Sequence, residues 1–196
     1  MKTEYLTLIM LIPFLGGCGS GGGGDGSGGG GGGNPIVCTT YTINFDTDPQ
    51  GNALVNQQTL SNEYAAWDVT FSLPSASPLI IDQATDPGDA VPVSSPFLLG
   101  GNANTGLSMT EPLTIQYLNA ATDIQFYIVD SESVGGSATF YDALNNVLDV
   151  VAFQVLGSGV AQLISTPATD VDRIVLTNNS ASDGFFIDNL RYAICL

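Results

Sequence analysis

The side chains able to do chemistry in this sequence are carboxylates, cysteines and tyrosines, and there is no histidine. Without imidazole, Ser-His-Asp and Cys-His catalysis are excluded, as is His-ligated zinc or iron. Any catalysis would rest on carboxylates, hydroxyls or a bound hard cation. Calcium collects about six to eight oxygens from loop carboxylates and carbonyls. Three acidic groups could supply them: Asp46 with Asp48, Asp82 with Asp86 and Asp89, and Asp130 with Glu132. None has EF-hand spacing. A glycoside hydrolase needs two carboxylates about 5–10 Å apart across a cleft. Beyond residue 34 the only glutamates are Glu63, Glu111 and Glu132, none in a recognisable motif.

Charge narrows the partners. Lys and Arg number 3 against 19 Asp and Glu, a net charge of −16. The cations are Lys2, Arg173 and Arg191. Nucleic-acid affinity is built from Lys and Arg contacts to phosphate, so nucleic acid is excluded as a partner. Contact with anionic lipid headgroups would need a bridging divalent cation.

Address comes from the first 34 residues. Leu6 to Leu15 is an apolar run too short to span a bilayer at roughly 20 residues per crossing, but long enough for a signal-peptide core. It ends in Leu15-Gly16-Gly17-Cys18, which resembles the lipobox of bacterial lipoproteins. The resemblance implies cleavage before Cys18, a diacylglyceryl thioether on Cys18 and acylation of the new N-terminus. Residues 19–33 contain 12 glycines in 15 positions. As a flexible coil this stretch spans roughly 20 Å. With no flanking strand and no Gly-Lys-Ser/Thr it is a tether and not a phosphate loop. Gly19-Ser20 lacks the Asp that keeps many enterobacterial lipoproteins in the inner membrane, so the outer membrane is the expected location.

The remainder reads at period two. Tyr41, Ile43 and Phe45 share one face, as do Trp67, Val69 and Phe71, then Leu113, Ile115 and Tyr117, then Ile124, Phe126 and Ile128. Further strands are expected over 79–81, 97–99, 137–141, 147–154, 160–164, 173–177 and 185–194. Asn145-Asn146 is expected as a hairpin turn and no helix is expected. About ten short strands punctuated by turns indicate an antiparallel sandwich or barrel. Trp67 is expected in the core with Val69 and Phe71. Tyr127 and Tyr141 fall out of phase with Phe126 and Phe140, so they line the opposite face, an aromatic surface suited to glycan binding.

Two stretches resemble the jelly-roll sandwich domains of PEP-CTERM-type secreted and surface proteins. The first runs Asp46…Pro49-Gln-Gly51…Leu54…Asn56-Gln57…Trp67-Asp-Val-Thr-Phe71. The second pairs Asp172-Arg-Ile-Val-Leu176 with Asp183-Gly-Phe-Phe-Ile-Asp-Asn-Leu-Arg-Tyr192, which contains that family's Asp-Asn-Leu signature at Asp188-Asn189-Leu190. Asp68 departs from the family, which commonly has Gly there. So does the end at Leu196 without a sorting helix and basic tail, which leaves anchoring to Cys18. The resemblance implies a structural ion where first and last strands meet, with Asp46 and Asp188 as ligands. With Cys18 acylated, export and this topology pair Cys38 with Cys195 in a disulfide.

The sequence thus describes an all-β protein. Residues 1–17 are a lipoprotein signal peptide, 18–34 a lipidated Cys and Gly-rich flexible linker, and 35–196 an antiparallel, jelly-roll-like β-sandwich of about ten strands. The expected function is non-enzymatic binding or adhesion at the bacterial cell envelope. Its partners are the membrane through the lipid anchor and an extracellular glycan or envelope protein, with calcium as the candidate cofactor. The alternatives are a purely structural envelope protein and a carboxylate-dependent glycoside hydrolase.

Overall fold

The computed structural model describes residues 36–82, 93–94, 96–101, 108–131, 135–156, 159–179 and 184–196. Cys18 and the glycine linker lie outside the described residues, as do Asp86, Asp89, Glu132 and Asp183. Ten strands follow one another: β1 Cys38–Ile43, β2 Val69–Ser72, β3 Leu79–Asp82, β4 Phe97–Gly100, β5 Leu113–Val129, β6 Gly136–Tyr141, β7 Val147–Phe153, β8 Ala161–Ser165, β9 Val171–Asn178 and β10 Phe186–Cys195. Every pairing is antiparallel.

The two runs expected as separate strands, Leu113–Tyr117 and Ile124–Ile128, are one strand. The N-terminal part of β5 pairs with β2 and β9, and its C-terminal part pairs with β10 and β8. One layer therefore reads β2-β5-β9-β6-β7, and the other β3-β4-β10-β5-β8 with β1 also against β10. Three consecutive exposed residues, Leu118, Asn119 and Ala120, carry β5 from one layer to the other. Asp68 holds that passage. Its carbonyl accepts from the Leu118 N–H at 2.8 Å and its carboxylate from the Asn119 amide at 2.9 Å.

Between the layers lies the main core. Phe71, Ile115, Ile174 and Phe140 come from one side, and Ile43, Leu99, Phe126, Ile128, Ile164 and Leu190 from the other. These are the alternate positions that the period-two pattern placed inward. Trp67 departs from the pattern. Ala65–Trp67 is a single 3-10 turn, and Asp68 follows at φ 63, so β2 begins only at Val69. This left-handed backbone favours glycine, and Asp is among the residues that tolerate it, which gives the Asp68 departure a physical reading. Trp67 is half-buried and stacks on Tyr41, ring centroids 5.9 Å apart, at the edge of the core. The Tyr192 hydroxyl donates to the Trp67 carbonyl. The Tyr64 hydroxyl donates to the Thr47 carbonyl at 2.7 Å. Among the described residues the Tyr117 hydroxyl is the buried side-chain polar atom with no hydrogen-bond partner.

The hairpin expected at Asn145-Asn146 is present, its turn running from Asp142 to Asn145, and a second turn follows Asp48. The Asp48 carboxylate accepts from Gln50, Asn52 and the Asn52 amide, and Gly51 takes φ 82. The Asp142 carboxylate organises the β6–β7 hairpin in the same way, accepting from the Leu144 and Asn146 N–H groups, with Asn145 at φ 64. At the outer end of β1, Val37 and Leu196 exchange both backbone hydrogen bonds at 3.2 and 3.0 Å. The next pair inward, Cys38 and Cys195, therefore belongs to the closely approaching, non-hydrogen-bonded class. Its Cα atoms are 4.0 Å apart, and the expected disulfide joins them across a sequence separation of 157.

Closing so long a loop restricts the unfolded chain most, with a ceiling of roughly 5 kcal/mol on the chain-entropy argument. The Cys38→Ser/Cys195→Ser double variant is expected to lose about 2–5 kcal/mol while keeping its far-UV spectrum. Denaturant melts of both forms check this. Coincident midpoints, or both thiols alkylatable in the wild-type protein, would contradict it.

Candidate functional site

The outward face of the β10-containing layer carries a polar row. Thr42 on β1 pairs with Arg191 on β10, Arg191 with Gln125 on β5, and Gln125 with Ser165 on β8. Directly opposed residues share a face, and the flanking Ile43, Leu190, Tyr192, Ile124, Phe126 and Ile164 all point to the core. The four polar side chains consequently project away from it.

Two compensating bulges place this row. Between Asp188 and Arg191 the register slips by one residue on β10, and between Arg191 and Ala193 by one on β5. Asn189 and Asp123 stand at these slips, each at φ 51. Asn and Asp tolerate a left-handed backbone better than other non-glycine residues. A bulge inserts one residue and re-aims its neighbours. Because of the Asn189 bulge, Asp188 and Arg191 both leave the core side although they are three residues apart. The Asp123 bulge moves the buried phase of β5 from odd to even positions.

A small open cavity of about 210 Å³ sits at this junction, lined by Asp123, Ile124, Gln125, Ser165, Thr166 and Arg191. The Thr166 hydroxyl donates to Asp149 at 2.5 Å and accepts from the Ala168 N–H at 3.0 Å. Among the described residues, the side chains of Arg191, Gln125 and Ser165 make no hydrogen bond or ion pair with the protein. A guanidinium fork, an amide and a hydroxyl are therefore free to bind something else.

The structure separates the two tyrosines expected on one aromatic surface. Phe126 and Phe140 are in the core, so both tyrosines do face outward. They stand on opposite layers, however, because β5 and β6 present opposite outer faces. Tyr127 is half-buried, two residues along β5 from Gln125 on the same face, and packs against a second apolar cluster of Leu79, Ile81, Leu98, Val129 and Phe186. Tyr141 lies under the Arg173 guanidinium, 4.4 Å from the ring centroid.

Asp46 and Asp188 both serve the segment leading into β4. The fully buried Asp188 carboxylate accepts from the Ser94 N–H at 2.7 Å, the Ser94 hydroxyl at 2.8 Å and the Asn189 N–H at 2.7 Å. Asp46 accepts from the Asn44 amide at 2.7 Å and the Phe97 N–H at 3.4 Å. Asp130 accepts from the Gly159 N–H at 3.3 Å. Glu63 accepts from the Ser61 N–H at 2.5 Å, and Glu111 from the Ser75 hydroxyl at 2.7 Å. Among the described residues no three His, Cys, Asp or Glu side chains gather as metal ligands.

No family model matches the sequence, and no curated protein matches it. Several solved structures are similar to the chain. The K2 cleaved adhesin domain of Lys-gingipain has a TM-score of 0.46 and 9% identity, covering 79% of this chain and 99% of that one. A family 29 carbohydrate-binding module from Piromyces equi has a TM-score of 0.41 and 9% identity, covering 81% and 92%. A family 29 carbohydrate-binding module mutant complexed with mannohexaose has a TM-score of 0.38 and 11% identity, covering 81% and 93%.

Sequence reasoning missed Arg191, Gln125, Ser165 and Asp123 as site residues. Two signals for them were present. Arg191 is one of two cations beyond the signal peptide, and the core positions Tyr117 and Ile124 are an odd number of residues apart, which a continuous strand allows only through a bulge.

Burial pushes the carboxyls of Asp188 and Asp46 above the ordinary range, although hydrogen bonds from Ser94, Asn189 and Val93, and from Phe97, pull the other way. The side-chain hydrogen bonds of Asn52 and Asn146 hold Asp48 and Asp142 below it. A raised carboxyl binds its proton more readily in the folded state, so it adds stability as pH falls through its raised folded value. A lowered one contributes above its unfolded value and loses that contribution as pH falls through its folded value. Tm is therefore expected to rise as pH falls from neutral toward the ordinary carboxyl range near about 4 and to fall below that. Asp188→Asn should flatten the rise, which separates this group from the general relief of charge. Scanning calorimetry across pH tests it, and a Tm declining steadily from pH 7 to 5 would be the contrary result.

Proposed function

We propose that this chain is a lipid-anchored protein of the bacterial cell envelope, held at the outer membrane through Cys18, whose β-sandwich binds an extracellular glycan without catalysis. The observation that carries the binding reading is the cavity at the paired bulges. Its uncommitted donors, the Arg191 guanidinium, the Gln125 amide and the Ser165 hydroxyl, converge beside the acceptor Asp123. Hydroxyl-rich ligands are recognised by such a mixture of directional donors and acceptors. At about 210 Å³ the space is below the roughly 300–1,000 Å³ of a drug-sized site, a scale that suits one sugar residue of a longer chain. The neighbouring Tyr127 ring, half-buried and packed against an apolar cluster, offers a surface for the next residue.

A glycan array probed with the full chain in detergent, followed by calorimetry on the best ligand, tests the reading. Arg191→Ala is expected to weaken binding by about ten- to a hundredfold, the worth of a hydrogen bond to a charged group. Tyr141→Ala, on the opposite layer, should leave affinity unchanged. An array on which nothing binds would overturn the proposal in favour of a purely structural role.

The anchor has its own test. Two or more acyl chains hold a protein stably at a membrane, whereas one is marginal. Cys18→Ser is expected to move the protein from the membrane to the soluble fraction, and intact mass should show the added lipid on the wild type. An unmodified Cys18 thiol in membrane-extracted protein would refute it.

A further inference from the structure

We infer that the sugar taken by this cavity is acidic, a single uronic acid residue whose carboxylate pairs with the Arg191 guanidinium; this rests on the glycan-binding reading above. The chain has three cations in all. Lys2 lies outside the described residues, and Arg173 is stacked on Tyr141. Arg191 lines the cavity, and its guanidinium makes no ion pair or hydrogen bond among the described residues. A planar guanidinium matches a carboxylate through two parallel N–H···O bonds.

The neighbours complete the donor set. Gln125 and Thr42 flank Arg191 on the two adjoining strands, and Ser165 lies beyond Gln125. These supply amide and hydroxyl donors to the carboxylate and ring oxygens. Asp123 is exposed at the rim, fixed there by its bulge, and carries acceptors only. It can accept from a sugar hydroxyl, but it repels a second negative charge. One guanidinium facing one carboxylate across a space for one sugar selects a ligand with a single charge in the cavity. A uronate meets that condition, whereas a phosphorylated sugar, at about −1.5 to −2 near pH 7, does not.

Calorimetry on the full chain in detergent micelles at about 0.15 M salt, where exposed charges are screened beyond about 8 Å, tests the class. The probes are oligosaccharides of galacturonate, glucuronate and mannuronate, each beside its neutral methyl ester. At least one acid is expected to bind tenfold or more tightly than its ester. Arg191→Gln should abolish that difference, and Arg191→Lys, which keeps the charge but loses the fork, should recover it only in part. Asp123→Asn, which removes a like charge and keeps a residue tolerant of the bulge backbone, should raise affinity for the acid severalfold. A purely structural role of Asp123 would not produce such a gain. Thermal melts of each variant verify folding. Acid and ester binding equally, with Arg191→Gln without effect, would overturn the uronate assignment and leave glycan binding standing. No binding to these probes or to any arrayed glycan would overturn both.

Discussion

The sandwich depends on the backbone ladder of β10. This last strand pairs with β5 on one side, and with β4 and then β1 on the other, so it closes the layer that carries the polar row. Its partner β1 lies at the opposite end of the folded region, with Cys38 and Cys195 separated by 157 positions and bonded face to face. That pairing closes a loop that spans nearly the whole domain. Long-range pairing of this kind is slow because loop-closure entropy is spent before the contacts reward it. The disulfide lowers that entropy once the register is set. Among the described residues, Val37 and Leu196 supply one further hydrogen-bonded pair beyond it.

The same ladder makes the site. A strand with perfect alternation would direct Asp188 and Arg191 to opposite faces. The Asn189 bulge lets Asp188 reach Ser94 while Arg191 projects into the cavity, and the Asp123 bulge on β5 restores the register one step later. Asp188-Asn189-Leu190 thus has a physical meaning residue by residue: a buried acceptor that fixes the approach to β4, a left-handed bulge, and a core anchor. Bulges are common beside functional sites because they aim side chains at little cost in pairing.

Charge is arranged with similar asymmetry. Many of the carboxylates here are occupied by the chain's own N–H and hydroxyl donors, as at Asp46, Asp48, Asp142, Glu111 and Asp188. They shape turns and loop entries. Of the two arginines in the described region, one covers a tyrosine ring and the other faces the cavity. An acidic surface of this kind deters nucleic acid and non-specific association.

The all-β class, the inward positions of Ile43, Val69, Phe71, Ile115, Phe126 and Phe140, and the presence of a hairpin near Asn145 were legible in the sequence, because period-two alternation and local turn chemistry act over a few residues. The Cys38–Cys195 partnership was also legible, through parity and the resemblance to jelly rolls. What only the tertiary structure decided depends on how distant strands meet. Trp67 left its strand because Asp68 turns left-handed to hold the β5 crossover. Leu113–Val129 became one strand because its two parts find partners in different layers. Tyr127 and Tyr141 parted because each layer has its own outer face. Arg191, Gln125 and Ser165 came together through register across three strands, a relation between residues that no local pattern encodes.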